Sequence, residues 1–519
     1  MSLLNWPRRP SAAADGLFGY DDSMLGELAE SVRRHQFGAA VASGAVAMGI
    51  ALLIAGVGLG VGALGIGLLL AGYIDRRLML LGALLIAPAL TAFHRIQLAT
   101  IGGNTLDVRL VLTGALAVVI WVWLAVDRPR LDVTAVIFVA YVAAALILTP
   151  LNSVAPLKAL PVLARDLVYL GAFLGARAWL GSARGANIVL IAAAVGLLVP
   201  AMSGLVQWMT GGGLVAAGSW RLSGLYGSSP VGLALAMQLG VVFLAGSSLT
   251  EGFAPRLRWV AGILALALMS VILVQTSSRL PFLTTVVALM AFEVARRRWV
   301  GAAVVLVLSA LLMLSSGGLS ARIGSTFVPT ATSAPTVSTA PVPSGGMPAA
   351  TPATDANSGD EDVGGGAASL RYRLFVWRTM MNEWWASPLV GRGTGTFATL
   401  LEQRTGLHRV APHNDYVYAL VEGGALLFLL YVGLQAMVVI GLLAGALRDA
   451  NARLPLVALV AFGMTNIANS INNAVFYLDL QLVVWVIAAS VLASTEHRVG
   501  VPAHLWRPEP GTRTSERGS

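Results

Sequence analysis

The amino-acid sequence predicts an all-α, polytopic integral membrane protein of about fourteen transmembrane helices, with one large external segment before the twelfth. Three observations carry that prediction. Of 519 residues, 57% are hydrophobic and only 11% charged, against roughly 25% charged in soluble domains, and mean hydropathy is +0.77. Apolar runs of about 20 residues, enough to cross ~30 Å of hydrocarbon as a helix, recur along the chain. The alternating pattern of barrel strands is absent, and a helix satisfies its backbone groups within the span. The net charge of +9 comes from Lys and Arg in short loops and tails, where they set membrane orientation rather than bind nucleic acid. The chain has no Cys, so disulfides and thiolate metal sites are excluded.

Residues 1–36 form a polar tail without the apolar core of a removable signal peptide, so the first helix is expected to anchor itself. The apolar run from Phe37 to Ile74 is too long for one helix and turns near Gly58-Leu59-Gly60, giving spans near 37–55 and 57–74. Further spans fall near 78–93, 108–126, 133–149, 167–182, 187–208, 228–247, 259–276, 281–296 and 299–315. These eleven make a bundle over 37–315, and three more follow near 415–443, 455–472 and 476–494. With the N-terminus inside, the inner loops hold Arg76/Arg77, Arg128/Arg130, Arg177/Arg184, Arg256/Arg258, Arg296 to Arg298 and Arg448/Arg453, and the 495–519 tail adds Arg498, Arg507 and Arg513. Every inner loop is then basic.

Residues 316–369 are rich in Ser, Thr, Ala, Pro and Gly, with an acidic patch at Asp360-Glu361-Asp362. Such a composition buries too little apolar surface to fold, so a flexible external linker is expected. Residues 370–412 begin with Trp377, Met381, Trp384 and Trp385 interleaved with Arg and Glu, a pattern for a helix lying at the outer interface, ended by Pro388.

Chemistry concentrates between Arg371 and Leu427. Arg371 and Arg373 join Arg221, in Trp220-Arg221-Leu222-Ser223-Gly224, and Arg279, in Ser278-Arg279-Leu280-Pro281, on the expected outer side. One interfacial arginine would simply snorkel its guanidinium to the headgroups. A cluster of outward guanidiniums among small polar residues suits a pyrophosphate or an anionic headgroup. His413 opens a span with Asn414 and Asp415, either of which suits the helix cap and leaves the imidazole as a general base for a hydroxyl. Glu422, inside that span, is costly there unless it pairs with an arginine or the histidine. Gly391, Gly393 and Gly395 lack the Lys-Ser/Thr and the preceding strand of a nucleotide loop.

These residues carry a resemblance. Arg373-x-x-x-Trp377, then Pro388-Leu-x-Gly-x-Gly-x-Gly-x-Phe397, then His413-Asn414 with Glu422-Gly423, resemble the signature region of the O-antigen ligase and Wzy-type O-antigen polymerase family. The stretches around Arg221 and Arg279 are also similar, with Leu280-Pro281 where the family usually has Gly. The resemblance implies a glycosyltransferase of the bacterial inner membrane that uses neither metal nor other cofactor. It takes a glycan from undecaprenyl diphosphate on the periplasmic face, and its partners include membrane lipids. Arg221, Arg279, Arg373 and Arg371 would hold the donor diphosphate, and His413 and Glu422 would be catalytic. Asn414, Asp415, Gly391, Gly393 and Gly395 would support them. The acceptor is a lipid A-core sugar for a ligase or a lipid-linked glycan for a polymerase, and fourteen spans lean towards the polymerase. The rival is a lipid-linked oligosaccharide flippase or other transporter, which places charges deep in several spans. Here Glu422 is the main intramembrane charge expected, which favours the transferase.

The topology has a direct check. A cysteine placed at Ser344 in this Cys-free chain labels with a membrane-impermeant maleimide in intact spheroplasts; labelling that requires lysis reverses the orientation.

Overall fold

A computed structural model describes residues 30–54, 59–91, 97–101, 104–129, 131–153, 156–216, 219–226, 229–248, 257–320, 366–405, 414–448 and 478–499, with positions 456, 460 and 463. The chain is nearly all helical. The first two helices, α1 (Gln36–Ile54) and α2 (Leu59–Ile74), pack against each other, and Leu59 and Gly60 of the expected turn belong to the second. It leads to α3 (Arg76–Leu90), α4 (Val108–Asp127), α5 (Val133–Asn152), α6 (Pro156–Leu180) and α7 (Ala183–Met209). Then come α8 (Pro230–Ser248), α9 (Leu257–Gln275), α10 (Arg279–Ala295) and α11 (Trp299–Ser315). The last group is α12 (Gly366–Trp385), α13 (Phe397–Thr405), α14 (Asp415–Arg448) and α15 (Leu478–Val499).

Among the described residues, four helical stretches are long and apolar enough to cross a membrane: Val133–Asn152, Pro156–Leu180, Ile188–Met209 and Asp415–Leu447. Shorter apolar helices such as Val111–Asp127, Trp299–Ser315 and Leu480–Ser494 accompany them. The expected span at 455–472 lies outside the described residues apart from isolated positions, and so does most of the expected linker.

Two short antiparallel hairpins accompany the helices and join β1 (Gln97–Ile101) to β2 (Asn104–Asp107), and β3 (Leu214–Ala216) to β4 (Ser219–Arg221). Both lie between consecutive helices, and each pairs its own backbone groups. The span expected from 167 starts instead at Pro156, a residue whose fixed φ and missing N–H suit a first helical position. It therefore contains Arg165 and Asp166, which bond each other, so the spans carry more charge than Glu422 alone. The span expected at 415–443 is α14, two helical segments that meet at the non-helical Gly424 (φ 62°, ψ −169°).

Ion pairs show which loops share an end of the bundle. Arg76 meets Asp127 at 2.7 Å, Trp179 Nε1 donates to the same carboxylate at 2.9 Å, and Arg177 meets Asp132 at 2.8 Å. The loops around 75–77, 127–132 and 177–183 thus gather together, and Asp75, Asp132 and Ser182 also cap the helices that leave them. α15 returns from the C-terminal side to pack against α6, α7 and α3. Its Trp485 joins Phe138 and Phe173, with ring centroids 4.9 and 6.1 Å away, in the main apolar core.

Candidate functional site

The site begins with a helix that stops and restarts. α14 breaks at Gly424, and a break in hydrocarbon is tolerated only where other groups take up the freed backbone atoms. The Pro388-to-Gly395 turn does this from both sides. Arg392 N donates to Val421 O at 3.0 Å and Gly393 N to Glu422 O at 2.8 Å. In return Ala425 N donates to Pro388 O at 2.8 Å and Leu426 N to Leu389 O at 3.1 Å.

Glycine is required for this fit. Gly391, Gly393 and Gly395 have φ of 68°, 87° and 77°, where a side chain is strained. A Cβ on Gly424 would also fall 2.5 Å from Gly391 N, and one on Gly393 2.5 Å from Ser153 N. The turn is thus pressed between the break in α14 and the α5–α6 connection, where Ser153 Oγ donates to Thr394 O at 3.4 Å. Thr396 Oγ1 closes it by donating to Gly393 O at 2.6 Å.

Glu422 locks the arrangement. Its two carboxylate oxygens accept from Gly395 N and Phe397 N, each at 2.8 Å. Phe397 opens α13, whose first amides lack helical partners and face an anion favourably. Among the described residues the partners of Glu422 are these backbone amides and the Tyr418 hydroxyl rather than an arginine, and His413, the other partner expected, lies outside the described residues. Glu422 is 3% exposed. At the head of α14, Asn414 Oδ1 accepts from Tyr416 N at 2.9 Å and Val417 N at 3.1 Å. Asn414 is therefore the cap, and Asp415, fully buried, faces inward with Glu422.

α12 clamps this unit from one side. Val376 and Met380 pack on Phe397, Leu401 and Val421, and the buried Glu383 binds Arg392 at 3.2 Å and also Arg404. Arg373 is half-buried on α12, and Arg371 lies one turn or less before it.

A second unit forms around Arg221. This residue is 2% exposed; Nε donates to Thr276 O at 3.0 Å and Nη2 to Ser278 Oγ at 3.1 Å. Ser277, at φ 50°, bends that turn, and Arg279 starts α10 directly after it. Gln207 Oε1 accepts from Ser223 N and Gly224 N at 2.9 and 2.7 Å, fixing the segment that follows Arg221.

The structure therefore brings Arg221 to the turn before Arg279, and Gly391, Gly393, Gly395, Asn414, Asp415 and Glu422 to one another. His413 lies outside the described residues. Sequence reasoning missed Arg165, Asp166, Tyr141, Tyr418 and Tyr431, which line a cavity with Asp415 and Glu422. A charged pair within an otherwise apolar run was the available signal. It also missed the Glu383–Arg392–Arg404 group, whose arginines follow the carboxylate by 9 and 21 residues, spacings with no helical periodicity across the intervening turn.

Residues 264–432 match a family model described as O-Antigen ligase. The match runs from within α9 into the second half of α14, and so includes Arg279, α12, the glycine turn and Glu422. No curated protein matches the chain.

Replacing Gly393 by Ala is expected to destabilise the protein by about 2 kcal/mol or more, from left-handed strain and the clash with Ser153. A control, Gly114→Ala, has open space around the new methyl and stays within about 0.5 kcal/mol. Thermal unfolding of both variants in the same detergent makes the comparison, and equal melting temperatures would contradict the packing described.

Proposed function

We propose, from the match of residues 264–432 to an O-antigen ligase family model, that this chain transfers a glycan from undecaprenyl diphosphate to a sugar hydroxyl at the periplasmic face of the bacterial inner membrane. The observation that carries the reading is the content of the matched stretch: Arg279, Arg371, Arg373, the glycine turn, His413 and Glu422 all fall inside it. Arg221, outside the stretch, is hydrogen-bonded to the turn that presents Arg279.

In this reading Arg279, Arg373 and Arg371 grip the donor diphosphate. Planar guanidiniums match its oxygens bidentately and offset the charge that builds up as the anomeric bond breaks. Arg221 is a positioning residue that fixes the Arg279 turn. His413 takes the proton of the acceptor hydroxyl while that oxygen bonds the anomeric carbon and the diphosphate leaves with the bonding electron pair. Glu422 holds the glycine turn against the first half of α14, the helix that Asn414 caps.

Fourteen spans, cytoplasmic termini and a periplasmic segment around 316–412 complete the proposal, supported by the shared end of the Arg76, Asp127 and Arg177 loops. Arg165 and Asp166 weaken the contrast with a transporter, because charge does lie within a span. The transferase reading rests instead on the matched domain. Ligase and polymerase share its donor and differ in acceptor. Supplying purified protein with lipid A-core or with a second lipid-linked glycan separates them.

His413→Ala is expected to keep donor affinity and lose about 10²- to 10⁴-fold in transfer rate, the usual range for a missing general base. Arg279→Lys should fail nearly as badly as Arg279→Ala, because an ammonium does not reproduce the planar fork. Turnover by His413→Ala within about tenfold of the parent would remove the histidine from this role.

A further inference from the structure

The strongest unassigned feature starts from a charged pair within a candidate span, outside the matched stretch. Arg165 and Asp166, 3% and 5% exposed, sit inside α6 and bond through Nε and Nη2 of the arginine, at 3.1 and 2.9 Å, to one carboxylate oxygen. Adjacent residues on a helix do not face each other, so the arginine must fold back to reach its neighbour. Its guanidinium lies 5.7 Å from the centroid of the Tyr169 ring. Among the described residues its Nη1 is buried without a hydrogen-bond partner.

These groups line a cavity of about 40 Å³. At ~10–15 Å³ per water on that measure, about three waters fit and a sugar ring does not. α5 contributes Tyr141, and α14 contributes Asp415, Tyr418, Glu422 and Tyr431. α15 adds the uncharged Gln481. Among the lining residues, one guanidinium therefore faces three carboxylates, those of Asp166, Asp415 and Glu422. Asp415 heads α14 and Glu422 lies seven residues in, so the cavity reaches ~10 Å below the helix start. Charges at such depth are costly and are retained where they serve ions or protons.

We propose that this cavity is a hydrated chamber that receives the proton released by the acceptor hydroxyl, and that Arg165 is the positioning residue that sets its charge. This rests on the transferase reading. As the acceptor oxygen bonds the anomeric carbon, its O–H bond breaks. The proton passes from the head of α14 into the chamber, where a carboxylate binds it, while the diphosphate departs with the electron pair of the broken C–O bond. Asp415 heads α14 and lines the chamber, so it is the entry point.

The test is the pH dependence of transfer in the full-length protein, reconstituted with undecaprenyl-diphosphate-linked donor. Arg165→Met removes the counter-charge, so the carboxylates hold protons more tightly and the acid limb of the rate profile moves up by about a pH unit or more. Asp166→Asn, which is isosteric, leaves Arg165 acting on two carboxylates, and the limb moves down. Arg165→Lys keeps the parent's limb. Opposite shifts are not produced by a merely structural role, and Asp166→Asn decides alone if Arg165→Met does not fold. A parent that transfers glycan while both limbs stay in place overturns this inference only. A parent that transfers none under any acceptor overturns the transferase reading.

Discussion

The described site depends on one constraint: a helix in hydrocarbon cannot leave its backbone groups without partners. α14 breaks at Gly424, and the carbonyls of Val421 and Glu422 and the amides of Ala425 and Leu426 are met by the Pro388–Gly393 turn. Four backbone bonds tie a loop to the middle of a span, where water does not compete and their loss is expensive. The glycines follow from this. Their positive φ values and the backbone contacts at Ser153 and Gly424 leave no room for a Cβ. Glu422 follows as well, since the turn exposes two amides at the start of α13 and a buried carboxylate satisfies both.

From that unit the rest can be built outward. α12 is held to the turn by the buried Glu383, whose two oxygens meet Arg392 and Arg404. Arg373 is therefore carried on a helix fixed to the break in α14. The other unit is tied differently, by a buried arginine that spends its donors on the Thr276–Ser278 turn. Buried guanidiniums that meet several acceptors fix geometry more than they add stability. Beneath the break, the polar residues of α5, α6, α14 and α15 meet around a small cavity, a feature that a span count alone does not anticipate.

Much of this was legible in the sequence, and the misses have physical causes. Hydropathy located α1, α2, α4 and α5 to within a few residues, because lipid demands apolar runs whatever the tertiary structure. It cut α6 short, since charge was read as the end of a span, whereas Arg165 and Asp166 neutralise each other inside it. The glycine run was recognisable as a turn, but not as the partner of Gly424, because that contact joins segments about 30 residues apart through backbone atoms that leave no side-chain signal. Asn414 was one of two legible caps, and its two amide bonds decide the choice. Glu422 is legible as costly, yet two of its partners are main-chain amides that no residue pattern names.

The central claim is that the 388–397 turn is stitched into the membrane-spanning helix and is not a solvated loop. Amide hydrogen exchange on the full-length protein in lipid nanodiscs reads this directly. The amides of Arg392, Gly393, Gly395, Phe397, Ala425 and Leu426 should be protected to the same degree as the interior of α14, and Glu422→Ala should release Gly395 and Phe397 first. Exchange of this turn at the rate of open loops, with α14 itself protected on both sides of Gly424, would contradict the account.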